Sequence, residues 1–169
     1  DFIFMVEGSS YMFVTGPDVV KTVTHEDLTA EQLGGASQHT KTSGVAHGSF
    51  KNDVEMLMQT RKLMSYLPLS NRDMPPLTES AEPADRPSPA LDQIIPDNPN
   101  MPYDMKQVIA EIVDEQDYFE IHSQFAANII CCLARIDGRP VGIVANQPLV
   151  LAGCLDINAS RKAARFVRF

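Results

Sequence analysis

The sequence predicts a chain of the α/β class built in two parts, and three patterns carry that prediction. Short apolar runs rich in β-branched and aromatic residues, typical of strands, occur near both ends of the chain. Segments with apolar residues at helical spacing alternate with these runs. Nine of the twelve prolines fall between Pro68 and Pro102. Because proline removes amide donors and disfavours helix before it, this stretch is predicted to be a linker between two structured flanks.

In the N-terminal flank, short strands are predicted at residues 2–6 and 11–14. A helix is predicted to begin at Pro17, since proline suits the first helical position. Residues 34–48 read as a loop rich in glycine and serine, and apolar spacing predicts a helix over residues 53–67 that stops at proline. We place the boundary between the two parts near Asp85.

In the C-terminal flank, a helix is predicted over residues 105–113, with Asp104 as its cap. Continuous apolar runs at 129–136 and 140–145 predict two strands, and the Asp-Gly pair between them predicts a hairpin. An acidic run at 114–117 is expected to cap and solvate the end of the helix. A last helix is predicted to start at Asn158 or Ser160. Its basic residues are expected on a solvated face or in ion pairs, with contact to a phosphate-bearing ligand as the alternative: Arg161, Lys162, Arg165 and Arg168.

Composition excludes several classes of protein. The chain has 169 residues, of which 44% are hydrophobic and 21% charged, as in globular proteins rather than disordered or fibrous ones. A net charge of -8 argues against nucleic acid as a partner, since phosphate binding needs clustered cations. No apolar run approaches the ~20 residues of a membrane helix, so no membrane is expected. The adjacent Cys131 and Cys132 are read as buried strand residues in a reducing compartment, not as a disulfide framework.

The glycine-rich loop is the first candidate site. Its glycines allow close backbone approach, and free amides there would suit an anion or a polarised carbonyl; an ordered connecting loop is the alternative. It matches neither a Walker A loop nor the dinucleotide fingerprint. His39 and His47 lie eight residues apart with few carboxylates nearby, so no metal is expected. Ser43 and His47 have the spacing of a nucleophile and its base on a helix, with hydrogen bonding within the loop as the alternative.

The second candidate is the segment that follows the last predicted strand. Asn146 and Gln147 come directly after it, and in α/β folds ligands collect beyond the carboxyl ends of strands. Amide side chains supply neutral hydrogen-bond donors there. A simple turn is the alternative interpretation.

Several motifs resemble the carboxyltransferase (beta) subunit of biotin-dependent acyl-CoA carboxylases, over almost the entire chain. The GlnHisThr and SerGlyValAlaHis segments are most similar to the members that act on propionyl-CoA. The motifs are TGPDVVK at 15–21, LGGASQHTKTSGVAH at 33–47, YLP at 66–68, GRPVGIVANQP at 138–148, AGCLDI at 152–157 and KAARFVR at 162–168.

The resemblance implies a crotonase-like (ClpP/crotonase) fold in parts of two tandem domains. Residues 1–67 would be the C-terminal part of the N-domain, 68–102 the proline-rich linker, and 103–169 the N-terminal part of the C-domain. In this family the beta subunits form a homo-hexamer. The main glycine-rich oxyanion loops of both domains are expected outside this chain, which would make it an internal fragment, inactive alone, whose catalytic residues remain unknown.

The implied reaction moves CO₂ from carboxybiotin to the α-carbon of propionyl-CoA and gives methylmalonyl-CoA. Biotin is carried by a partner alpha subunit, and this half-reaction needs no metal. The alternatives are a carboxyltransferase for methylcrotonyl-CoA or acetyl-CoA, a decarboxylating relative, and a non-catalytic CoA-binding or assembly module. The implied compartment is the mitochondrial matrix in a eukaryote and the cytoplasm in a bacterium.

The resemblance also divides the candidate residues between two sides of a site. The turn after the last strand resembles the first oxyanion turn of crotonases, with Leu155 as an extra residue. The loop residues implied on the acyl-CoA side are Gly34, Gly35, Ser43, Gly44 and His47, and those implied on the biotin side are Asn146, Gln147, Gly153 and Cys154.

Overall fold

The computed structural model describes residues 1–169, which divide into two compact units, Asp1–Gln59 and Thr60–Phe169. Neither unit contains a helix long and apolar enough to span a bilayer. The elements in chain order are β1 (Phe4–Val6), α1 (Pro17–Thr24), α2 (Ala30–Gly34), a π-helix (Gln38–Thr42), β2 (Gly48–Phe50), α3 (Asp53–Met64), α4 (Leu91–Ile94), α5 (Met105–Ile112), a 3-10 helix (Asp114–Gln116), β3 (Tyr118–Ile121), β4 (Ile129–Ile136), β5 (Arg139–Asn146), a second 3-10 helix (Leu151–Gly153) and α6 (Ile157–Arg168).

The first unit is built on a pair of parallel strands. β1 and β2 run side by side, with Met5 opposite Ser49 in the register. A small core forms beneath them from Met5, Ala36 and Ala46, with Ile3 and Met12 packed against it. This core places the start of the glycine-rich loop directly against the strand pair.

Three predictions for residues 1–67 need correction. Residues 11–14 do not form a strand: Tyr11 makes one bridge to Gly35, because this backbone pairs with the glycine turn instead of a neighbouring strand. The predicted loop contains a π-helix, closed by the bond from Ser43 N–H to the Gln38 carbonyl. The predicted helix start at Pro17 is confirmed. α3 ends at Met64, a few residues earlier than predicted, because tight turns follow it before the proline.

The second unit is an antiparallel sheet with the strand order β3-β4-β5. The predicted hairpin is confirmed, and both Asp137 (φ 51°) and Gly138 (φ 72°) have the left-handed conformation that a tight type I′ turn requires. The central strand β4 is buried from Ile129 to Ala134. β3 was not predicted, since its four residues are too few to give a clear alternating pattern.

Two helices cover this sheet. α5 packs Ile109 against Ile130 and Cys132 of the central strand, and the predicted cap is confirmed by the bond from Lys106 N–H to Asp104 Oδ1 at 2.9 Å. α6 packs on β4 and begins at Ile157, earlier than predicted, because its cap is Asp156. The acidic run forms a 3-10 helix whose Asp114 carboxylate accepts the two amides of the hairpin turn.

The proline-rich segment is mostly exposed and has one short helix, α4. Several hydrogen bonds tie it to the elements that follow it in the second unit, among them those of Arg86 and Thr78. Arg86 donates to the carbonyls of Glu111 and Val113 at 2.9 Å, and Thr78 N–H donates to the Gly138 carbonyl at 3.1 Å. The assignment of residues 1–67, 68–102 and 103–169 to two domains and a linker stays a prediction.

Candidate functional site

The glycine pair of the first unit lies in a very tight backbone contact. Met12 N–H donates to the Gly34 carbonyl at 2.8 Å. A Cβ added to Gly34 would lie 2.1 Å from the Met12 oxygen, and one added to Gly35 would lie 2.2 Å from the carboxyl carbon of Glu31. Both glycines are buried. Glycine is therefore required at position 34, where the obstacle is backbone, whereas at position 35 the obstacle is the end of the flexible Glu31 side chain, which can move away.

A histidine and a serine complete this contact. His39 Nε2 lies 2.7 Å from the Met12 oxygen, and its Nδ1 lies 2.9 Å from Ser43 Oγ. Because a carbonyl only accepts, Nε2 carries the proton, and the Ser43 hydroxyl donates to Nδ1. The Met12 peptide is thus held at both its N–H and its oxygen. Ser43 pairs with His39 and not with His47, so the nucleophile pair suggested by sequence spacing is wrong.

His47 points into the strand pair instead of toward the glycine turn. It is 4% exposed. Ile3 N–H donates to His47 Nδ1 at 2.9 Å, and His47 N–H donates to the Ile3 carbonyl at 2.8 Å. The ring of Phe2 contacts its ring edge-on, with centroids 5.1 Å apart. These contacts fix the start of β2.

The predicted acyl-CoA-side residues therefore fall into two groups. Gly34, Gly35 and Ser43 are joined through Met12 and His39. Gly44 follows with a φ of 65°, and the next amide, of Val45, donates to Ser43 Oγ at 3.3 Å. His47 lies apart from this network. His39 was noted in the sequence only as a possible metal ligand, and its role is set by a segment 27 residues away.

Gln147 is buried, and both its side-chain oxygen and its side-chain nitrogen form hydrogen bonds. Its Oε1 accepts from Met105 N–H at 3.1 Å, and its Nε2 donates to Asp104 Oδ1 at 2.7 Å. It therefore ties the end of β5 to the start of α5. Because the side chain is 4% exposed, it faces the protein interior and not a ligand in solvent.

The turn after β5 has an unusual backbone. Leu151, Ala152 and Gly153 have φ values of 51°, 52° and 74° in succession. The amides of Gly153 and Cys154 donate to carbonyls within the turn, at 2.9 and 3.0 Å. A Cβ on Gly153 would lie 2.5 Å from Asn146 Nδ2. The exposed amide of Asn146 and this glycine thus lie side by side, whereas Gln147 points inward.

A buried lysine and asparagine behind this turn were missed in the sequence. Lys162 is 2% exposed, which corrects the expectation of a solvated or ion-paired helix face at this position. Its Nζ donates to backbone carbonyls of the loop between β3 and β4 and of the first residue of β4, the shortest bond being 2.7 Å to Ile129. Burial lowers the pKa of Lys162, while the carbonyl dipoles favour its charged form. Asn128, in the same loop, donates to the Cys154 carbonyl at 2.8 Å.

The cysteines of the central strand have no reactive environment. Cys131 and Cys132 are both 0% exposed. Burial raises the pKa of Cys131 to about 11 and that of Cys132 to about 12. Both thiols are therefore protonated at neutral pH, which agrees with their interpretation as core residues. Cys154 is exposed.

No group of three or more His, Cys, Asp or Glu side chains is arranged to hold a metal ion. The second unit has a cleft of about 270 Å³, away from all the predicted site residues. It is lined by Thr78, Glu79, Ser80, Asp114, Glu115, Asp117 and Arg135.

Comparison with known proteins gives a single family. The carboxyl transferase domain model matches residues 1–169. The propionyl-CoA carboxylase beta chain of Roseobacter denitrificans is 62% identical over 169 residues, which are 100% of this chain and 33% of that protein. The mitochondrial beta chain of Homo sapiens is 55% identical over 100% of this chain and 31% of that protein. The methylmalonyl-CoA decarboxylase alpha subunit of Veillonella parvula is 52% identical over 100% and 33%. The chain spans about a third of the length of these relatives.

Comparison with solved structures also gives proteins of the carboxyltransferase and carboxylase type. Transcarboxylase 12S, described as a hexamer with hydrolysed methylmalonyl-coenzyme A bound, matches with a TM-score of 0.95 and 45% identity, over 100% of this chain and 32% of that chain. A single-chain, multi-domain long-chain acyl-CoA carboxylase matches with a TM-score of 0.77 over 99% of this chain and 16% of that chain. Its identity is 21%, so this likeness concerns the fold alone.

Proposed function

This chain belongs to the carboxyl transferase domain family, and on that premise we propose that it is a segment of a propionyl-CoA carboxylase beta-type subunit. That subunit transfers a carboxyl group from carboxybiotin to the α-carbon of propionyl-CoA and produces methylmalonyl-CoA. The observation that carries the proposal is the 62% identity to a propionyl-CoA carboxylase beta chain over all 169 residues. The predicted α/β, crotonase-like fold is confirmed by the match to transcarboxylase 12S. In this proposal residues 1–67 belong to the N-domain, 68–102 to the linker and 103–169 to the C-domain.

The acyl-CoA side lies at the glycine turn of the first unit. Carboxylation requires an enolate at the thioester, whose negative oxygen is stabilised by preorganised backbone donors. Gly34 and Gly35 bring the backbone of the turn close to Met12 and Glu31, and the contacts of Met12 and His39 hold this turn in place. Ser43 and Gly44 form the outer edge of this loop, and His47 anchors it to the strand pair. The main oxyanion loops belong to other parts of the full polypeptide.

The biotin side lies at the turn that follows β5. Biotin, carried by the partner alpha subunit, supplies the carboxyl group when bound. The exposed amide of Asn146 beside Gly153 is a neutral donor of the kind that suits the ureido oxygen of biotin. Gln147 positions α5 against the end of β5. Cys154 contributes its backbone to the turn, and its thiol needs no chemical role.

The assembly follows from the same membership. The subunit forms a homo-hexameric core that binds the biotin-carrying alpha subunit, as the hexamer of transcarboxylase 12S supports. Metal and ATP chemistry belong to the alpha subunit in this proposal. The compartment is the matrix in a mitochondrial protein and the cytoplasm in a bacterial one, since relatives of both kinds exist.

A second candidate is a decarboxylating subunit, favoured by the 52% identity to the methylmalonyl-CoA decarboxylase alpha subunit. In this candidate the half-reaction runs in reverse, and the carboxyl group passes from methylmalonyl-CoA to biotin. A non-catalytic CoA-binding module and carboxyltransferases for acetyl-CoA or methylcrotonyl-CoA are the remaining alternatives.

The full-length subunit, assembled with its biotin-carrying partner, tests the proposal. We expect kcat/KM to be highest for propionyl-CoA and lower for acetyl-CoA and methylcrotonyl-CoA. Because one methyl group in a pocket changes binding by about 1–3 kcal/mol, the difference should be about 10-fold or more. Equal or higher kcat/KM for another acyl-CoA contradicts the substrate, and no carboxyl transfer to any of them favours the non-catalytic module.

A further inference from the structure

The ammonium of Lys162 lies in a cage of backbone carbonyls that the proposed chemistry does not use. Its Nζ is 2.9 Å from the oxygen of His122, 3.0 Å from that of Phe125 and 2.7 Å from that of Ile129. The oxygen of Ala126 lies at 3.4 Å. Three of these carbonyls belong to the loop between β3 and β4, that of Ile129 belongs to the first residue of β4, and the Lys162 side chain is 2% exposed.

This environment is that of a monovalent-cation site. Several carbonyl dipoles replace the hydration shell of a buried cation, as in the filters of potassium channels. Buried acceptors that lose a donor are costly, and removal of the ammonium takes its N–H donors from all of these carbonyls. The oxygens of His122 and Ala126 each keep one backbone donor, the N–H groups of Phe125 and Ile129. The loop that supplies these carbonyls should then open. The Lys162 ammonium thus occupies the place of a bound cation and holds these carbonyls together.

Asn128 connects this loop to the predicted biotin side. Asn128 is 2% exposed, and its Nδ2 donates to the Cys154 carbonyl at 2.8 Å. Its own carbonyl accepts from Gln147 N–H at 2.9 Å. The same Nδ2 lies 3.4 Å from Oδ1 of Asp156, the cap of α6. Lys162 therefore joins α6 to the loop, and Asn128 joins the loop to the turn that precedes α6.

We propose that Lys162 is a positioning residue: its ammonium fills a carbonyl cation site and, through Asn128, holds the Gly153–Cys154 turn in the geometry that accepts biotin. The part that concerns biotin rests on the proposed function. The holding of the loop and the turn does not depend on it.

The test uses Lys162→Ala in the full-length subunit and follows the methylmalonyl-CoA-dependent carboxylation of free biotin. We expect KM for biotin to rise about 10-fold or more, with KM for methylmalonyl-CoA within about twofold of the unaltered subunit. Arg161→Ala is the matched control, because it removes an exposed positive charge from the same helix. Addition of n-butylammonium should lower KM for biotin again, whereas tetramethylammonium, which has no N–H donors, should not.

Asn128→Leu keeps the test decisive if Lys162→Ala does not fold. It breaks the link to the turn while the carbonyl cage stays intact, and we expect the same selective rise in KM for biotin. Unchanged KM for biotin in Asn128→Leu, or an equal rise of both KM values, overturns the positioning role. Equal effects of the two ammonium ions overturn the cation site.

Amide hydrogen exchange separates this inference from the proposed function. In Lys162→Ala, the amides of Gly153 and Cys154 should exchange faster than in Arg161→Ala, and n-butylammonium should slow them. If the unaltered subunit transfers no carboxyl group, the proposed function fails, and the exchange result still decides whether the cage holds the turn. Exchange at these amides that is the same in both variants refutes the inference.

Discussion

Substitution of Gly34 by alanine should disrupt the acyl-CoA side specifically. The added Cβ would lie 2.1 Å from the Met12 oxygen, about 1.3 Å short of the 3.4 Å at which ordinary contact begins. Because the obstacle is backbone, no side chain can rotate away to make room. Met12 must therefore move, and its bonds to the Gly34 carbonyl and to His39 must lengthen or break.

The expected cost follows from that displacement. Overpacking of this kind destabilises a protein by about 1–3 kcal/mol, so Gly34→Ala should lower the free energy of unfolding by that amount. If the glycine turn binds the acyl-CoA, KM for propionyl-CoA should also rise by about 10-fold, while KM for biotin changes little. Chemical unfolding and steady-state kinetics of the full-length subunit measure the two effects.

Gly16→Ala is the matched control for this prediction. Gly16 has a φ of -71°, which alanine adopts, and its nearest neighbour lies 4.0 Å away from an added Cβ. Alanine is a poorer helix cap than glycine, so Gly16→Ala should lower the free energy of unfolding by less than about 1 kcal/mol and leave both KM values unchanged. If Gly34→Ala behaves like Gly16→Ala in both assays, the close contact and its role at the acyl-CoA side are refuted.

Three further predictions concern the second unit. A thiol reagent at neutral pH should modify Cys154 quickly and reach Cys131 and Cys132 only on unfolding; mass spectrometry of labelled peptides checks this, and equal labelling of all three contradicts the burial. Unfolded thiols ionise near pH 9.0, whereas the folded pKa values are about 11 and about 12, so the free energy of unfolding should fall as pH rises from 9 toward 12. In urea titrations the free energy of unfolding should fall by about 1 kcal/mol per pH unit for each thiol. If the variant with both buried cysteines changed to alanine shows the same dependence on pH, the buried thiols are not its cause. Gln147→Leu should lower the free energy of unfolding by about 1–3 kcal/mol, whereas Asn146→Ala should leave it nearly unchanged and raise KM for biotin; the reverse pattern would mean that the two amides have exchanged roles.

Local signals in the sequence were sufficient for much of the second unit. The spacing of Ile109 and its neighbours predicts α5, and Asp104 predicts its cap. The pair Asp137 and Gly138 predicts the hairpin because few residues adopt φ above 0° at low cost. β3 escaped prediction because it is short and stabilised by its pairing with β4, which is a tertiary effect.

The site depends mostly on contacts that sequence spacing does not contain. Ser43 is four residues from both His39 and His47, and distant segments decide that His39 is its partner: Met12 binds His39, whereas Ile3 holds His47. Lys162 belongs by spacing to a basic helix face, yet it is buried because a distant loop turns its carbonyls toward it. The resemblance of the motifs to a known family suggests the chemistry that we propose, but it does not distinguish the buried Gln147 from its exposed neighbour Asn146.

The most direct test of the proposed function is the isolated half-reaction of the full-length subunit. The purified subunit is supplied with methylmalonyl-CoA and free biotin, without ATP, bicarbonate or the alpha subunit, and with a metal chelator present. We expect propionyl-CoA and carboxybiotin to form in equal amounts, because the carboxyl group passes directly between the two substrates. Absence of this exchange, or its dependence on ATP or a metal ion, would contradict the assignment as a carboxyltransferase for propionyl-CoA.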